Sequence, residues 1–219
     1  LQDHPMVMVS CAGRSALPPS RYNHGEMYAT LRSGLDGAVP DLQPFPILLP
    51  LAPPGHEPPA GAGYALVASV VAPDSRGTVR LASAVPDAGP LVDPGLLAEP
   101  RDLARLETGL GIIREAVAGA PLSRVLQAEV WPGPGVVTRA GLRAYIRRAV
   151  GSYYHPAGTC RIGTGDQAVV DPQLRVHGVA GLRVADASVM PAIPNAPLNA
   201  TVLAIAERAA DLITAGQNP

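Results

Sequence analysis

The chain has 219 residues, a formal net charge of −1, 47% hydrophobic residues and 4% aromatic residues. The near-zero charge implies no polyanion partner and no basic run suggests nucleic acid, and no apolar run reaches the ~18–20 residues that span a bilayer. All 17 cationic side chains are arginine, so this chain supplies neither a Schiff-base lysine nor a P-loop lysine.

Residues 1–19 read as irregular with a short apolar strand at Met6–Cys11. Pro40–Pro59 is proline-dense and predicts loop, with at most an edge strand near Ile47–Leu49, because proline cannot donate to a central ladder. Gly61 and Gly63 lack the third glycine of a dinucleotide fingerprint and follow loop rather than strand, so they predict a turn. Tyr64–Val71 is valine-rich and predicts a buried strand. Gly77–Leu81 reads as its hairpin partner through Pro73, Asp74, Ser75 and Arg76. Leu103, Leu106, Leu110, Ile113 and Val117 recur at three- and four-residue spacing, which predicts an amphipathic helix over Arg101–Ala118 with Pro100 at its start. Thr138 reads as the N-cap of a helix over Arg139–Val150. Gly181–Ala185 predicts a short strand. A last helix runs from about Asn199 to Thr214, with Val202, Ile205, Ala209 and Leu212 inward and Gly216 as its stop. Cys11 and Cys160 are far apart and read as two reduced thiols, with a disulfide as the alternative.

Three phrases carry more than folding information: SYYHPAGTCRIG at 152–163, GLRVADASVMP at 181–191 and NATVLAIAERAADLI at 199–213. With LQDHP at 1–5, their order resembles the C-terminal half of the glucose–methanol–choline (GMC) oxidoreductases, flavoenzymes that oxidise alcohols. The fold class that follows is α/β (α+β): the C-terminal half of a GMC-type FAD-binding fold plus a substrate domain with a mainly antiparallel sheet and flanking helices. The expected division is 1–50 as a loop-rich entry, 51–150 as substrate domain and 151–219 as the C-terminal part of the FAD-binding domain. The resemblance implies FAD as cofactor and a small alcohol as substrate. It also implies an N-terminal FAD-binding polypeptide of the same enzyme as partner, produced by nicking or by a split gene, since the Gly fingerprint is not in these residues. Neither nucleic acid nor membrane is expected as partner, and the expected location is cytoplasmic.

The same resemblance assigns roles. His155 matches the base that takes the hydroxyl proton, a task that suits an imidazole with an ordinary pKa near 6.5. Tyr154, His155, Asp186, Ala187, Asn199, Ala200 and Thr201 match cofactor-binding positions. Asp186 falls where a strand's carboxyl end would place a ligand contact, with an Asx turn or helix cap as the alternative. The last helix would aim its N-terminal amides at the flavin edge that becomes anionic on reduction.

One position departs from the pattern. The family's second catalytic residue, His or Asn, falls on Pro197, which has neither donor nor acceptor in its side chain. Asn199 is the expected substitute ahead of Asn195, with His155 acting alone as the alternative. Two further readings stand beside alcohol oxidation: a redox-inactive GMC-type lyase and a non-catalytic association module. His4 reads as structural, His24 and His56 as loop residues and His177 as part of a turn. No metal cluster is expected around His155 and Cys160.

Overall fold

The computed structural model describes residues 1–16, 24–25, 27–35 and 39–215. The elements in chain order are β1 (Pro5–Gly13), β2 (Leu42–Ile47), β3 (Gly63–Val70), β4 (Thr78–Arg80), β5 (Leu91–Asp93), α1 (Pro100–Ala118), α2 (Leu122–Val125), β6 (Leu126–Trp131), α3 (Arg139–Ala149), β7 (Gly151–Ser152), a 3-10 turn at Ala187–Val189, and α4 (Asn199–Ala215). They fall into two compact units. One comprises His4–Ser75 and Leu96–Tyr153; the other comprises Leu1–Asp3, Arg76–Gly95 and Tyr154–Pro219.

The first unit is built on an antiparallel sheet of order β2-β3-β1-β6, with β7 pairing on β1. Every residue of β3 is buried, which is why its sequence is a continuous apolar run rather than an alternation. Two of the strands, β1 and β2, lie within residues 1–50, read from sequence as a loop-rich entry. The edge strand there covers Leu42–Ile47 rather than Ile47–Leu49. Its outer side takes bonds from Ala29 N to Pro44 O and from Leu31 N to Leu42 O. Residues 42, 44 and 46 therefore point their backbone groups away from β3, so Pro44 and Pro46 sit where the missing N–H costs no bond to β3.

Helix α1 covers one face of the sheet, burying Leu103, Leu106, Leu110 and Ile113 against Val7, Val9, Leu66 and Val70. Gly109 permits the close approach: a Cβ there would lie 2.8 Å from the Ala68 Cβ. At the start of α1, buried Arg105 reaches Asp102 at 2.7 Å and Asp41 and Asp74 at 3.1 Å. Asp102 in turn accepts from the amides of Asp74 and Ser75. A buried guanidinium that meets several acceptors is satisfied, and removing it would strand the carboxylates. Helix α3 begins as its sequence predicts, with Thr138 Oγ1 accepting from Gly141 N at 3.1 Å. The Tyr145 hydroxyl donates to Met8 O at 2.6 Å.

Two expectations fail. The strand after residue 76 does not pair with β3. β4 pairs with β5 in a separate two-stranded ribbon in the second unit, while β3 takes β1 and β2 as partners. The turn-forming residues 73–76 serve instead to carry the chain out of the first unit. Gly181–Ala185 forms no strand; only an isolated bridge joins Arg175 to Arg183, because the apolar residues there pack locally and have no ladder to join.

The second unit is loop-rich. Its small cores hold Val170, Leu174, Val189 and Ala209, and Ala157, Met190 and Leu198. Val202, Ile205 and Leu212 of α4 pack against these clusters as the periodicity predicts. Gly216 lies outside the described residues. Cys11 and Cys160 are both free thiols.

Candidate active site

The HPAGT loop follows directly on the exit from β7. Tyr154 has φ of +63° and is 83% exposed, an uncommon backbone region for a residue with a Cβ. This turn re-aims the chain just before His155. Three places on, Gly158 has φ of +80°, which favours glycine, and a Cβ there would press on Gln2 Nε2 at 2.6 Å.

Gln2 and Asp3 of the LQDHP phrase hold this loop. Gln2 exchanges backbone bonds with Ala157 at 2.8 and 2.9 Å. Its side-chain amide donates to Pro191 O at 3.3 Å and accepts from Ile193 N at 3.2 Å. Buried Asp3 accepts from His155 N at 3.1 Å. Reading the sequence for chemistry passed over both residues; their adjacency in a phrase shared with the family was the available signal. Burial holds the His155 imidazole below its ordinary 6.5, opposed by the Asp3 carboxylate. The desolvation of the charged form wins, and the imidazole is neutral at pH 7.

The second phrase lies alongside the first. Gly158 N donates to Ala187 O at 3.3 Å, Cys160 N to Ser188 O at 2.8 Å and Ile162 N to Val189 O at 2.8 Å. Asp186 caps the 3-10 turn, accepting from Ser188 N at 2.7 Å. The cap geometry is thus realised, and because the residue is exposed the carboxylate stays open to a ligand as well.

The third phrase opens α4. Val202 N donates to Leu198 O at 2.9 Å, which makes Leu198 the capping position and Asn199 the first helical residue. Leucine has no side-chain acceptor to serve as a cap, and the amides of Asn199, Ala200 and Thr201 belong to the first turn, where no intrahelical carbonyl is in reach. Asn199 and Ala200 are exposed and Thr201 is half-buried. Ala157, Ala187, Met190, Leu198 and Val202 pack in one cluster. The three phrases therefore pack together in this cluster, and every predicted site residue lies within the same compact unit. Asn195 and Pro197 lie on the approach to α4, with Asn195 exposed and Pro197 half-buried.

The remaining histidines sit elsewhere. His4 is fully buried, and its carbonyl accepts from Tyr153 N at 2.9 Å. His24 is a left-handed loop residue with φ of +61°. His56 packs edge-on against Trp131 at 4.4 Å, and His177 Nε2 lies 3.2 Å from Gly163 O. Among the described residues no three His, Cys, Asp or Glu side chains group as a metal site.

The family model described as GMC oxidoreductase matches residues 73–206, more than half of the chain. The chain belongs to the GMC oxidoreductase family. It is 40% identical to an uncharacterised GMC-type oxidoreductase of Mycobacterium tuberculosis over 87% of this chain and 37% of that protein. It is 36% identical to an alcohol dehydrogenase (acceptor) of Pseudomonas putida over 97% of this chain and 43% of the relative. Among solved structures it resembles pyridoxine 4-oxidase from Mesorbium loti, with a TM-score of 0.89 and 32% identity over 99% of this chain and 43% of that one. The chain thus spans well under half the length of the GMC relatives it matches. Its mixed α/β architecture, an antiparallel sheet with flanking helices, is that of a GMC C-terminal portion. No helix among the described residues is long and apolar enough to cross a membrane.

Proposed function

We propose that this GMC chain contributes the base and part of the cofactor site of an FAD-dependent enzyme that oxidises a small alcohol. The observation that carries the reading is the convergence of the His155 loop, the Asp186 turn and the uncapped start of α4 in one unit, with His155 half-buried and held neutral.

GMC oxidoreductases are FAD-dependent flavoproteins, and the residues present fit that group. The first-turn amides of Asn199, Ala200 and Thr201, at the positive end of a helix, suit an electron-rich ring edge. The exposed Asp186 carboxylate suits hydroxyl donors, and Ala187 beside it is small enough to admit close approach. Tyr154 and His155 complete the set. Bound FAD supplies the acceptor for the hydride that leaves the carbinol carbon. The chain's own task is the proton. Neutral His155 accepts it from the substrate hydroxyl as the C–H bond breaks, leaving a carbonyl product and an imidazolium. Asp3 holds the loop backbone at His155 N and its charge favours the protonated imidazole that results.

The remaining parts of the family site, including the Gly fingerprint, come from an N-terminal FAD-binding segment, either on the same polypeptide or on a second one. A relative that oxidises alcohols and another that oxidises pyridoxine support an alcohol carbon as the reacting centre. The decisive experiment measures flavin reduction by alcohol in the FAD-loaded protein. His155→Ala should retain FAD and slow reduction by about 10²–10⁴-fold, the usual range for losing a general base. Near-native reduction in that variant overturns the assignment of His155, and an FAD-loaded wild-type protein inert to all alcohols overturns the oxidation reading.

A further inference from the structure

A polar cleft of about 580 Å³ opens in the second unit. Three of its lining residues are Arg76, Arg80 and Arg161, and Thr78, Thr159 and Gln2 add hydroxyl and amide groups. None of the lining residues is acidic. Local geometry explains the gathering. Thr78 and Arg80 share one face of β4 through the two-residue pleat, and Arg76 precedes them by the same interval. Gly77 lets this strand start lie against the end of β5, since a Cβ there would meet Asp93 O at 2.2 Å. On the opposite wall Arg161 is oriented by Gln167, donating from Nε to its carbonyl at 2.9 Å and from an Nη to its side-chain oxygen at 3.0 Å. Both acceptors are neutral, so these bonds place the guanidinium without cancelling its charge.

We propose that this cleft is an oxyanion site that takes an organic phosphate, with Arg80 and Arg161 as its principal donors. Arginine presents a planar fork that matches phosphate oxygens in pairs. Threonine hydroxyls on both walls complete the donor set for the remaining oxygens. The concave shape and size favour a small phosphorylated molecule over a flat acidic protein surface. The cleft shares Gln2 and Gly158 with the framework of the His155 loop, but none of its lining residues is one assigned to proton transfer or to flavin contact.

The test uses the full polypeptide that carries this chain, with arginine Nε–Hε signals followed by NMR. Inorganic phosphate and glycerol 2-phosphate are titrated separately at ionic strength held constant with chloride. Saturable shifts of the Arg80 and Arg161 signals are expected with one or both probes, and the tighter probe distinguishes a free-phosphate site from a phosphate-ester site. Arg80→Gln should weaken binding by about tenfold, as expected on losing one charge-assisted donor pair. Arg80 is exposed and its side chain carries no fold contact that the test depends on, so this variant remains informative if Arg161→Gln misfolds. Absence of saturable shifts with both probes overturns the proposal. So does an Arg80→Gln protein that binds as tightly as wild type, or an equal response to chloride alone.

Discussion

At the scale of single residues, the site depends on how much charge His155 tolerates. Its pKa is lowered first by burial and raised back in part by Asp3. The acid limb of the rate profile should therefore lie below the ordinary imidazole value, since only the neutral ring accepts a proton. Asp3→Asn keeps an oxygen to accept from His155 N and removes the opposing charge. That variant should move the acid limb to lower pH, and a limb that stays put or rises would show that Asp3 does not govern the ring. The vacancy at Pro197 gives a second comparison. If Asn199 supplies the missing hydrogen bond, Asn199→Ala should raise the activation barrier by about 1–3 kcal/mol, the cost of an unmet polar group in a desolvated site. Asn195→Ala should cost much less. Pre-steady-state flavin reduction measures both, and equally small effects would leave His155 acting without a side-chain partner.

At the scale of elements, α1 shows why one glycine in a helix is not another. Gly109 and Gly111 both lie within Pro100–Ala118, and both carry a helix-propensity penalty of about 1 kcal/mol relative to alanine. Gly109 faces Ala68 at a virtual Cβ distance of 2.8 Å, whereas a Cβ on Gly111 would meet nothing within 4 Å. Ala68 lies on central strand β3 and has no flexible end to give way. Gly109→Ala should therefore destabilise by about 1–3 kcal/mol through overpacking, while Gly111→Ala should stabilise by up to about 1 kcal/mol. Urea midpoints of the two variants check the pair, and equal shifts would refute the close helix–sheet contact. α4 presents a contrasting case. Its apolar periodicity is clear, yet Ala209 is its only buried residue among those described, so its stability leans on a few contacts to loops.

At the scale of the whole molecule, the shifted groups set a pH window for folding. His155 has a lower pKa folded than unfolded, so the unfolded chain binds more protons and stability falls as pH drops below about 6.5. Glu107 is depressed, with Arg139 and Arg143 outweighing its burial, and its contribution is lost further into acid, as pH falls through its folded value. On the alkaline side Cys11 is pushed up to about 11 from 9.0 by burial and by Glu129. The unfolded thiol ionises first, so stability declines as pH rises from about 9. Denaturant midpoints should form a plateau between roughly pH 6.5 and 9 with a fall on either side. Cys11→Ala should flatten the alkaline fall, and an unchanged alkaline slope in that variant would sink the assignment.

Local chemistry made the helices legible. Thr138 with its following turn, Pro100 at a helix start and the leucine spacing of α1 each state a helix boundary or face by short-range sterics and hydrogen bonding. The ordered phrases around His155, Asp186 and Asn199 likewise carry the family signature within short stretches of chain. Strand pairing was not legible, because a ladder joins residues far apart in sequence and short range carries no record of the partner: β3 chose Met6–Ala12 and Leu42–Ile47 over the adjacent β4. For the same reason Gln2 and Asp3, more than 150 residues from His155, showed their role only once the chain had folded them against the HPAGT loop. The sequence by itself determined the family to which the chain belongs and which segments coil into helices. Tertiary structure alone decided which strands meet, which backbone holds His155 and how far its charge is suppressed, since desolvation and long-range hydrogen bonds exist only after distant segments are brought together.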